Sequence, residues 1–177
     1  MGLRYKFKKA QGIIEKSGDK DLITVKGICE EIQRAQKKLL EEGKDLLKYC
    51  QVRCRGLCCR NIYPDDIITL ADFVYILAME SSVRDEISEC LKKETLFSSS
   101  CIFLKRGEGP CIFPSDLRPE KCITSFCGGD TTIKKEINMA RSKFNKLIRF
   151  ILLRKPRALK EILLKRWTRK RYQRRHR

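Results

Sequence analysis

The stretch ITLADFVYILAM, from Ile68 to Met79, carries the strongest indication of the fold. It follows Pro64, Asp65 and Asp66, which are residue types that favour the start of a helix. Most of its residues are apolar, and a helix that is apolar on all sides is buried inside a protein. We therefore predict a buried α-helix at this point of the chain.

Helical periodicity also occurs on both sides of this stretch. Apolar residues recur at spacings of three and four from Gly27 to Tyr49, which predicts a helix that leads into a group of cysteines. The segment from Ser82 to Lys93 predicts a more polar helix, with Ser82 as its candidate cap. A long amphipathic helix is predicted after Asp130, and Pro156 ends or bends it before a last basic helix. The apolar stripe of the long helix is Ile133, Ile137, Ala140, Phe144, Leu147, Ile148, Ile151 and Leu152.

The segment CIFLKRGEGPCIF, from Cys101 to Phe113, has two short apolar runs around a loop that contains glycine and proline. This pattern predicts a short hairpin that presents Cys101 and Cys111 together. We therefore expect a mainly α fold with a small Cys-rich module of irregular chain and one short hairpin, so that β structure is minor. We expect a helical body over residues 1–133, with the cysteine module at about 50–127, followed by a long helix and basic C-terminal arm over residues 134–177.

Positive charge is concentrated at the C-terminal end of the chain. The net charge of the 177 residues is +18, and residues 134–177 hold eighteen Lys or Arg against two acidic residues, a local net charge of +16. Such asymmetry is typical of proteins that meet RNA or another polyanion. The N-terminus lacks an apolar run of signal-peptide length, and no segment approaches the roughly 20 apolar residues that span a bilayer. We therefore expect a cytoplasmic protein with no transmembrane segment.

Ten cysteines and a single histidine limit the chemistry of the chain. A reducing cytoplasm opposes a disulfide scaffold. A cysteine nucleophile normally needs a neighbouring base, and the only histidine is His176 in the basic tail. A dithiol redox site favours the spacing Cys-x-x-Cys, which does not occur in the sequence. We assign no catalytic residue, and the sequence favours a protein that is not an enzyme.

The segment KYCQVRCRGLCCRN, from Lys48 to Asn61, has four cysteines within ten positions. Cys50, Cys54 and Cys58 recur at every fourth residue, so a continued helix would place them on one face and turn Cys59 away. A helix that ends near Gly56 would instead open into a loop around an ion. Closely spaced thiolates lose little chain entropy when they meet, and they select zinc, copper(I) or an iron–sulfur cluster.

Two cysteines, Cys29 and Cys90, are distant from the others in the sequence, and each lies on a predicted helix. Single cysteines usually behave as small buried hydrophobic residues. We therefore expect both to be lone packed thiols and not metal ligands.

Several short motifs occur in an order that resembles the CxxCxxCC family, the YkgJ-like proteins described as zinc- or iron-chelating domains. The motifs are CRGLCCR, PDDI, CIFL, GPCIF and RPEKC, and the resemblance covers about residues 50–127. It implies that the metal ligands are Cys50, Cys54, Cys58, Cys59, Cys101, Cys111, Cys122 and Cys127. It also implies that Arg118 and Pro119 correspond to the Arg-Pro pair of the family. The spacing departs from the family pattern, because three residues rather than two separate the first three cysteines.

These observations predict a protein that binds zinc or an iron–sulfur cluster, and the sequence leaves that choice open. Eight thiolates are enough for two four-coordinate zinc ions, or for one [4Fe–4S] cluster with four cysteines left over. One alternative is a zinc module that associates with RNA or ribosomes through the basic arm. Another is a redox or methyl-transfer enzyme that uses an iron–sulfur cluster, since larger proteins with this kind of cysteine module look like lysine methylases.

The basic arm, from Arg154 to Arg177, interleaves Lys and Arg with two aromatic residues. Basic side chains neutralise phosphates, and an aromatic ring can stack on an exposed base. The predicted nucleic-acid-binding residues are Lys165, Arg166, Trp167, Arg169, Lys170, Arg171, Tyr172, Arg174 and Arg175. The alternatives are a terminal helix with Trp167 packed on the body, or binding to an anionic membrane or an acidic protein.

Overall fold

A computed structural model describes residues 2–45, 48, 57–92, 100–105, 110–125 and 133–154. The helices in these ranges are α1 (Leu3–Glu15), α2 (Asp19–Glu42), α3 (Leu57–Arg60), α4 (Pro64–Ile67), α5 (Leu70–Met79), α6 (Val83–Lys92), α7 (Glu120–Thr124) and α8 (Lys134–Arg154), with a 3₁₀ turn at Ser115–Leu117. The predicted mainly α fold is confirmed. The predicted cap at Asp130, the helix end at Pro156 and the last basic helix lie outside the described residues.

Helix α5 lies in the core, as its apolar sequence predicts. Its residues from Leu70 to Leu77 are all buried. Its first turn is fixed by Thr69, whose hydroxyl accepts the backbone N–H of Asp72 at 3.2 Å, while the Asp72 carboxylate accepts the backbone N–H of Thr69 at 2.7 Å. This reciprocal capping box satisfies two donors and starts the helix at Leu70 rather than at the predicted Ile68.

Aromatic side chains join α5 to its neighbours. Phe73 packs edge-on against Phe7 of α1, with ring centroids 5.4 Å apart, and against Phe103, with centroids 6.3 Å apart. Tyr75 packs edge-on against Phe144 of α8, also at 5.4 Å. Edge-to-face pairs of this kind contribute about 0.5–1.5 kcal/mol each beyond the area they bury. The three helices therefore share one core.

Helix α1 was not predicted from the sequence. Its buried residues are Leu3, Phe7, Ala10 and Ile13, which recur at helical spacing and pack toward α5. Four Lys or Arg residues lie within these thirteen residues, and Lys16 follows directly. The apolar stripe is therefore narrow, and the helical pattern in the sequence is weak. Lysine and arginine stems can cover apolar surface while their charges stay in water, which makes such a helix compatible with burial of one face.

Helix α2 differs from its prediction at its start. It begins at Asp19 rather than Gly27, and Asp19 and Asp21 in its first turn favour the positive end of the helix dipole. It ends at Glu42, because the chain turns at Gly43, whose N–H donates to the Leu39 carbonyl at 2.9 Å. Beyond this turn Lys44, Asp45 and Lys48 are again helical, and the predicted end at Tyr49 lies outside the described residues. A Cβ atom at Gly43 would lie only 2.9 Å from the same oxygen, so this turn requires glycine.

The two other predicted helices are confirmed. Helix α6 matches the polar helix predicted over Ser82 to Lys93, and the hydroxyl of Ser82 donates to the Glu80 carboxylate at 2.6 Å. Helix α8 buries the predicted stripe residues Ala140, Phe144, Leu147 and Ile151, while Ile137, Ile148 and Leu152 are partly buried. Within the described ranges, no helix has the length and apolar character needed to cross a membrane.

The predicted hairpin is reduced to a single antiparallel bridge between Leu104 and Cys111. The backbone N–H of Ile112 donates to the carbonyl of Phe103 at 2.9 Å, and no strand forms within residues 100–105 and 110–113. The ring centroids of Phe103 and Phe113 lie 4.9 Å apart. Packing between the two apolar segments therefore holds them together in place of a longer ladder of hydrogen bonds.

Ion pairs fasten α8 to α2 along most of their length. Glu31 pairs with Lys143 at 2.9 Å and with Lys146 at 2.7 Å, Asp21 pairs with Arg154 at 3.7 Å, and Lys38 pairs with Glu136 at 4.0 Å. Because early residues of α2 pair with late residues of α8, the two helices are antiparallel.

Glu31 is expected to contribute a small stabilisation that depends on salt. Hydrogen bonds from Lys146 and Lys143 lower the pKa of Glu31 to about 2, so its contribution is present at neutral pH and is lost as the pH falls below its ordinary pKa toward 2. We expect Glu31→Gln to lower the free energy of unfolding at pH 7 by less than about 1 kcal/mol, and by less still in about 1 M salt. Urea denaturation measures this, with Glu30→Gln as the control on the adjacent exposed residue; equal losses from both variants would contradict the assignment.

Candidate metal centre

The predicted ligands fall into two groups. Those in the described part of the chain are Cys58, Cys59, Cys101, Cys111 and Cys122, and all of them carry thiols rather than disulfides. Three more, Cys50, Cys54 and Cys127, lie outside the described residues, as do the predicted nucleic-acid-binding residues Lys165 to Arg175.

Backbone hydrogen bonds bring three of these cysteines into one neighbourhood. The N–H of Cys101 donates to the carbonyl of Cys59 at 2.7 Å, which joins α3 directly to the segment after Ser100. That segment then pairs with itself through the bridge between Leu104 and Cys111. The chain at Cys101 therefore lies next to the chain at Cys111, and the backbone of Cys59 is bonded to that of Cys101; that the thiols themselves meet stays a prediction.

Burial controls the protonation of the Cys101 thiol. It raises the pKa of Cys101 to about 12; a hydrogen bond from the backbone of Phe103 acts in the opposite direction, and Cys111, Cys59 and Cys90 are close enough to raise the pKa further. Without a metal, this thiol is protonated at neutral pH. Because the ligand of a metal is the thiolate, binding of a metal here would release a proton.

Cys111 has similar surroundings, with one positive charge among them. Burial raises its pKa, Cys59 and Cys90 act in the same direction, and Arg118 acts in the opposite direction. The backbone of Arg118 is held by α2, because the side-chain amide of Gln36 donates to the Arg118 carbonyl at 2.8 Å. The buried Nε of Arg118 has no hydrogen-bond partner within the described residues. The charge of Arg118, one residue of the Arg-Pro pair implied by the resemblance, is thus within electrostatic reach of the Cys111 thiol.

The adjacent residues Cys58 and Cys59 have different surroundings on the short helix α3. Cys59 is half-buried and packs against the core, whereas Cys58 is exposed. Neighbouring residues of a helix point about 100° apart, so both thiols cannot face the same point from a regular helix. Within the described ranges, Cys59 is the member of this pair whose backbone carbonyl accepts the N–H of Cys101.

Cys122 is carried by α7, and a buried carboxylate positions this helix. The backbone N–H of Glu120, the first residue of α7, donates to the Asp72 carboxylate at 2.7 Å. Residue Cys122 is exposed, yet the protein around its thiol raises the pKa by desolvation, and Asp72, Cys101 and Cys111 raise it further. Cys122 therefore lies within electrostatic reach of the other thiols.

The two cysteines that were expected to be isolated differ from each other. Cys29 is fully buried in the core on α2, as predicted, and burial raises its pKa to about 12. Cys90 is half-buried and packs against the core, in agreement with the expected packed or half-exposed thiol, and that it is not a metal ligand stays a prediction.

The donors in this neighbourhood fit a soft metal in their chemistry. They are thiols, which as thiolates select zinc, copper(I) or an iron–sulfur cluster. Considering only the described ranges, no three Cys, His, Asp or Glu side chains are grouped closely enough to hold a metal ion. Within the described ranges, the structure therefore brings together cysteine-bearing segments rather than a finished coordination shell, and Cys50, Cys54 and Cys127 lie outside the described residues.

Comparison of the chain with protein-family models, curated proteins and solved structures finds no match in any of the three. The resemblance to the CxxCxxCC family therefore rests on the sequence motifs alone. What the centre does has to be inferred from its own side chains and from the segments that they join.

Proposed function

We propose that the chain binds zinc or an iron–sulfur cluster through cysteine thiolates, as the resemblance to the CxxCxxCC family implies. The observation that carries the proposal is that backbone hydrogen bonds bring the segments of Cys59, Cys101 and Cys111 into one partly buried neighbourhood. Single cysteines are common as packing residues, but thiols that converge from separate segments are what a thiolate metal site requires. The proposed ligand set remains the eight cysteines named from the sequence.

A bound metal would act mainly on the fold. The thiols belong to α3, to the segment after Ser100 and to α7, all of which are short or irregular. Structural thiolate sites contribute folding free energy directly, because the coordinate bonds form only in the folded state. The metal would therefore join three short segments of the chain.

Nucleophilic chemistry without a metal is less consistent with these thiols. The reactive form of cysteine is the thiolate, which needs a lowered pKa. The pKa values of Cys101, Cys111 and Cys122 are raised, chiefly by burial. The alternative of a redox or methyl-transfer enzyme requires that the bound group be an iron–sulfur cluster rather than zinc.

Metal content tests the proposal directly. We expect full-length protein purified without oxygen to contain at least one equivalent of zinc, or iron with sulfide, per chain. The double variant Cys59→Ser/Cys101→Ser should lose most of it, because it removes two thiolates from one neighbourhood. Elemental analysis measures both proteins, and Cys29→Ala serves as the control because Cys29 lies in the core. Wild-type protein with no metal and ten cysteines accounted for as thiols or disulfides would contradict the proposal.

We infer a second function for the basic arm, which is binding of RNA or another nucleic acid. In the described part of α8, several basic residues are already paired: Lys143 and Lys146 with Glu31, Arg141 with Glu120, and Arg154 with Asp21. The chain beyond Arg154 holds eleven Lys or Arg and one acidic residue. Charge of that density is suited to phosphate neutralisation.

A further inference from the structure

The side of α8 that faces away from the core is polar. The side that faces the core carries the buried residues of this helix, which are Glu136, Ala140, Phe144, Leu147 and Ile151. Ser142, Asn145 and Arg149 lie about half a turn away from that stripe, within an arc of about 60°. All three are exposed. We call these three residues the outer face of α8.

The side chains of the outer face are not used by the fold. Within the described part of the chain, Ser142, Asn145 and Arg149 make no side-chain hydrogen bond or ion pair with another residue. Each of them carries an O–H or N–H donor. The outer face therefore offers a row of hydrogen-bond donors to an acceptor outside the molecule.

The charge on and around the outer face is positive. Glu136 is the one acidic residue in the sequence of α8, and it is buried on the core side of the helix. Beside the outer face, Lys143 and Lys146 share the single carboxylate of Glu31, at 2.9 and 2.7 Å, which leaves this group of three with a net charge of +1. Together with Arg149 these lysines favour an anionic partner.

The outer face is also close to the start of the basic arm. Arg149 lies five residues, or about 7.5 Å along the helix axis, before Arg154, where α8 ends. The chain beyond Arg154 holds eleven Lys or Arg and one acidic residue. A polyanion bound by the first part of the arm therefore lies within reach of Arg149. Lys134 and Lys135, in the first turn of α8, are about 21 Å from Arg149 and are not part of the outer face.

We propose that the outer face of α8 binds the phosphate backbone of the nucleic acid that the basic arm holds. Arginine, serine and asparagine side chains are among the usual donors to phosphate oxygens in such complexes. A helix that lies on a membrane needs an apolar face instead, and the outer face is polar. This inference rests on the function proposed for the basic arm, and it adds a surface of the folded body to the interface.

Salt dependence tests the inference in the full-length protein. We expect Arg149→Gln to weaken binding to single-stranded RNA roughly fivefold at about 50 mM salt, equally for different sequences. The slope of the logarithm of affinity against the logarithm of salt concentration should decrease in magnitude by about 0.7, the value for one phosphate contact on a single strand. Ser142→Ala/Asn145→Ala should weaken binding roughly threefold and keep the slope, because neutral donors release no counterions. Lys8→Gln, which removes one charge from the exposed surface of α1, is the matched control and should retain both properties.

Photo-cross-linking locates the contact without relying on affinity. We expect p-benzoylphenylalanine in place of Asn145 to cross-link to RNA on irradiation, and the same group in place of Lys8 not to do so. Absence of the cross-link at position 145, or a salt slope of Arg149→Gln equal to that of the wild type, would overturn this inference and leave the function of the arm standing. Wild-type protein that binds no RNA would overturn both.

Anionic vesicles, measured in parallel, test the lipid alternative. Leu153 is 79% exposed one turn beyond Arg149, so it is the side chain that a membrane would take up. We expect Leu153→Ser to leave RNA binding unchanged. Cross-linking at position 145 to vesicles but not to RNA, with loss of vesicle binding in Leu153→Ser, would assign this side of α8 to a lipid surface and contradict the inference.

Discussion

Replacement of Asp72 by alanine is expected to lower the free energy of unfolding by about 3 kcal/mol or more. The Asp72 side chain belongs to a residue that is only 1% exposed. One carboxylate oxygen accepts the backbone N–H of Thr69 at 2.7 Å and its hydroxyl at 2.6 Å, and the other accepts the N–H of Glu120 at 2.7 Å. Alanine would leave these partly buried donors without their acceptor and would remove the hydrogen bond that holds α7 to α5.

The charge of Lys6 adds to this effect. Its ammonium group donates to the carbonyl of Ile68 at 2.6 Å and lies close enough to Asp72 to lower the pKa of that carboxylate. Burial of Lys6 in turn lowers its own pKa. Without Asp72, the partly buried ammonium group of Lys6 keeps its carbonyl partners but loses a nearby negative charge. The expected decrease in the free energy of unfolding is therefore larger than that from loss of a helix cap alone.

The substitution Asp72→Asn removes the charge of the side chain and keeps its size, so it tests the contribution of the charge alone. Burial is the largest influence on Asp72 and raises its pKa above the ordinary value, although hydrogen bonds from Thr69 and Glu120 oppose the change. A raised pKa in the folded state means that folding favours the protonated form, so the contribution of Asp72 falls as the pH rises through the interval between its ordinary and its folded pKa. We therefore expect the wild-type protein to gain stability relative to Asp72→Asn as the pH is lowered from 7 toward 4.

Urea denaturation at several pH values measures both variants. Asp66→Ala is the control, because Asp66 is an exposed residue close in sequence; it should change the free energy of unfolding by less than about 1 kcal/mol. An Asp72→Ala protein that unfolds at the same urea concentration as the wild type would show that the three hydrogen bonds are not important for stability.

The helices that were predicted correctly are those whose own sequence determines burial. In α5 nearly every residue is apolar, and in α8 the apolar residues recur over several turns, so each helix is recognisable without knowledge of its neighbours. Helix α1 was missed because its apolar stripe is interrupted by lysines, and its burial depends on α5 lying beside it. The start of α2 at Asp19 was missed because the apolar pattern becomes regular only further along the helix.

The cysteine centre was predictable in part, and for a physical reason. The bridge that joins Leu104 and Cys111 follows from local alternation and a short loop, so sequence patterns indicate that Cys101 and Cys111 meet. The position of Cys59 beside them depends on the backbone hydrogen bond from Cys101 to Cys59, which is a tertiary contact with no local signal. Asp72 had a local signal, because a Thr at the cap with an acidic residue three positions later is the pattern of a capping box; its second role, at Glu120, is again a tertiary contact.

Truncation of the chain after Lys155 is expected to reduce the affinity for single-stranded RNA by at least about 100-fold at low salt, while metal content stays unchanged. The truncation removes ten Lys or Arg and one acidic residue. Each neutralised phosphate releases counterions, and a protein with about six phosphate contacts loses roughly 10³ in affinity between 50 and 200 mM salt. The full-length protein should show a salt dependence of this order, and the truncated protein a much weaker one.

Two full-length variants define which property of the arm is responsible. Substitution of Lys165, Arg166, Arg169, Lys170 and Arg171 by glutamine should reproduce most of the loss without shortening the chain, because the attraction between basic side chains and phosphates supplies most of the affinity. Trp167→Ala should weaken binding to single strands by the roughly 1–3 kcal/mol that stacking on a base contributes, with little effect on duplexes.

Lys134→Gln/Lys135→Gln, on the exposed surface of α8, removes two charges from the body and serves as the control. Fluorescence anisotropy at about 50 and 200 mM salt measures RNA binding, and anionic vesicles measured in parallel test the membrane alternative. RNA binding that is equal in the full-length and truncated proteins would rule out the arm as a nucleic-acid interface, and loss of vesicle binding alone would assign the same charges to a lipid surface.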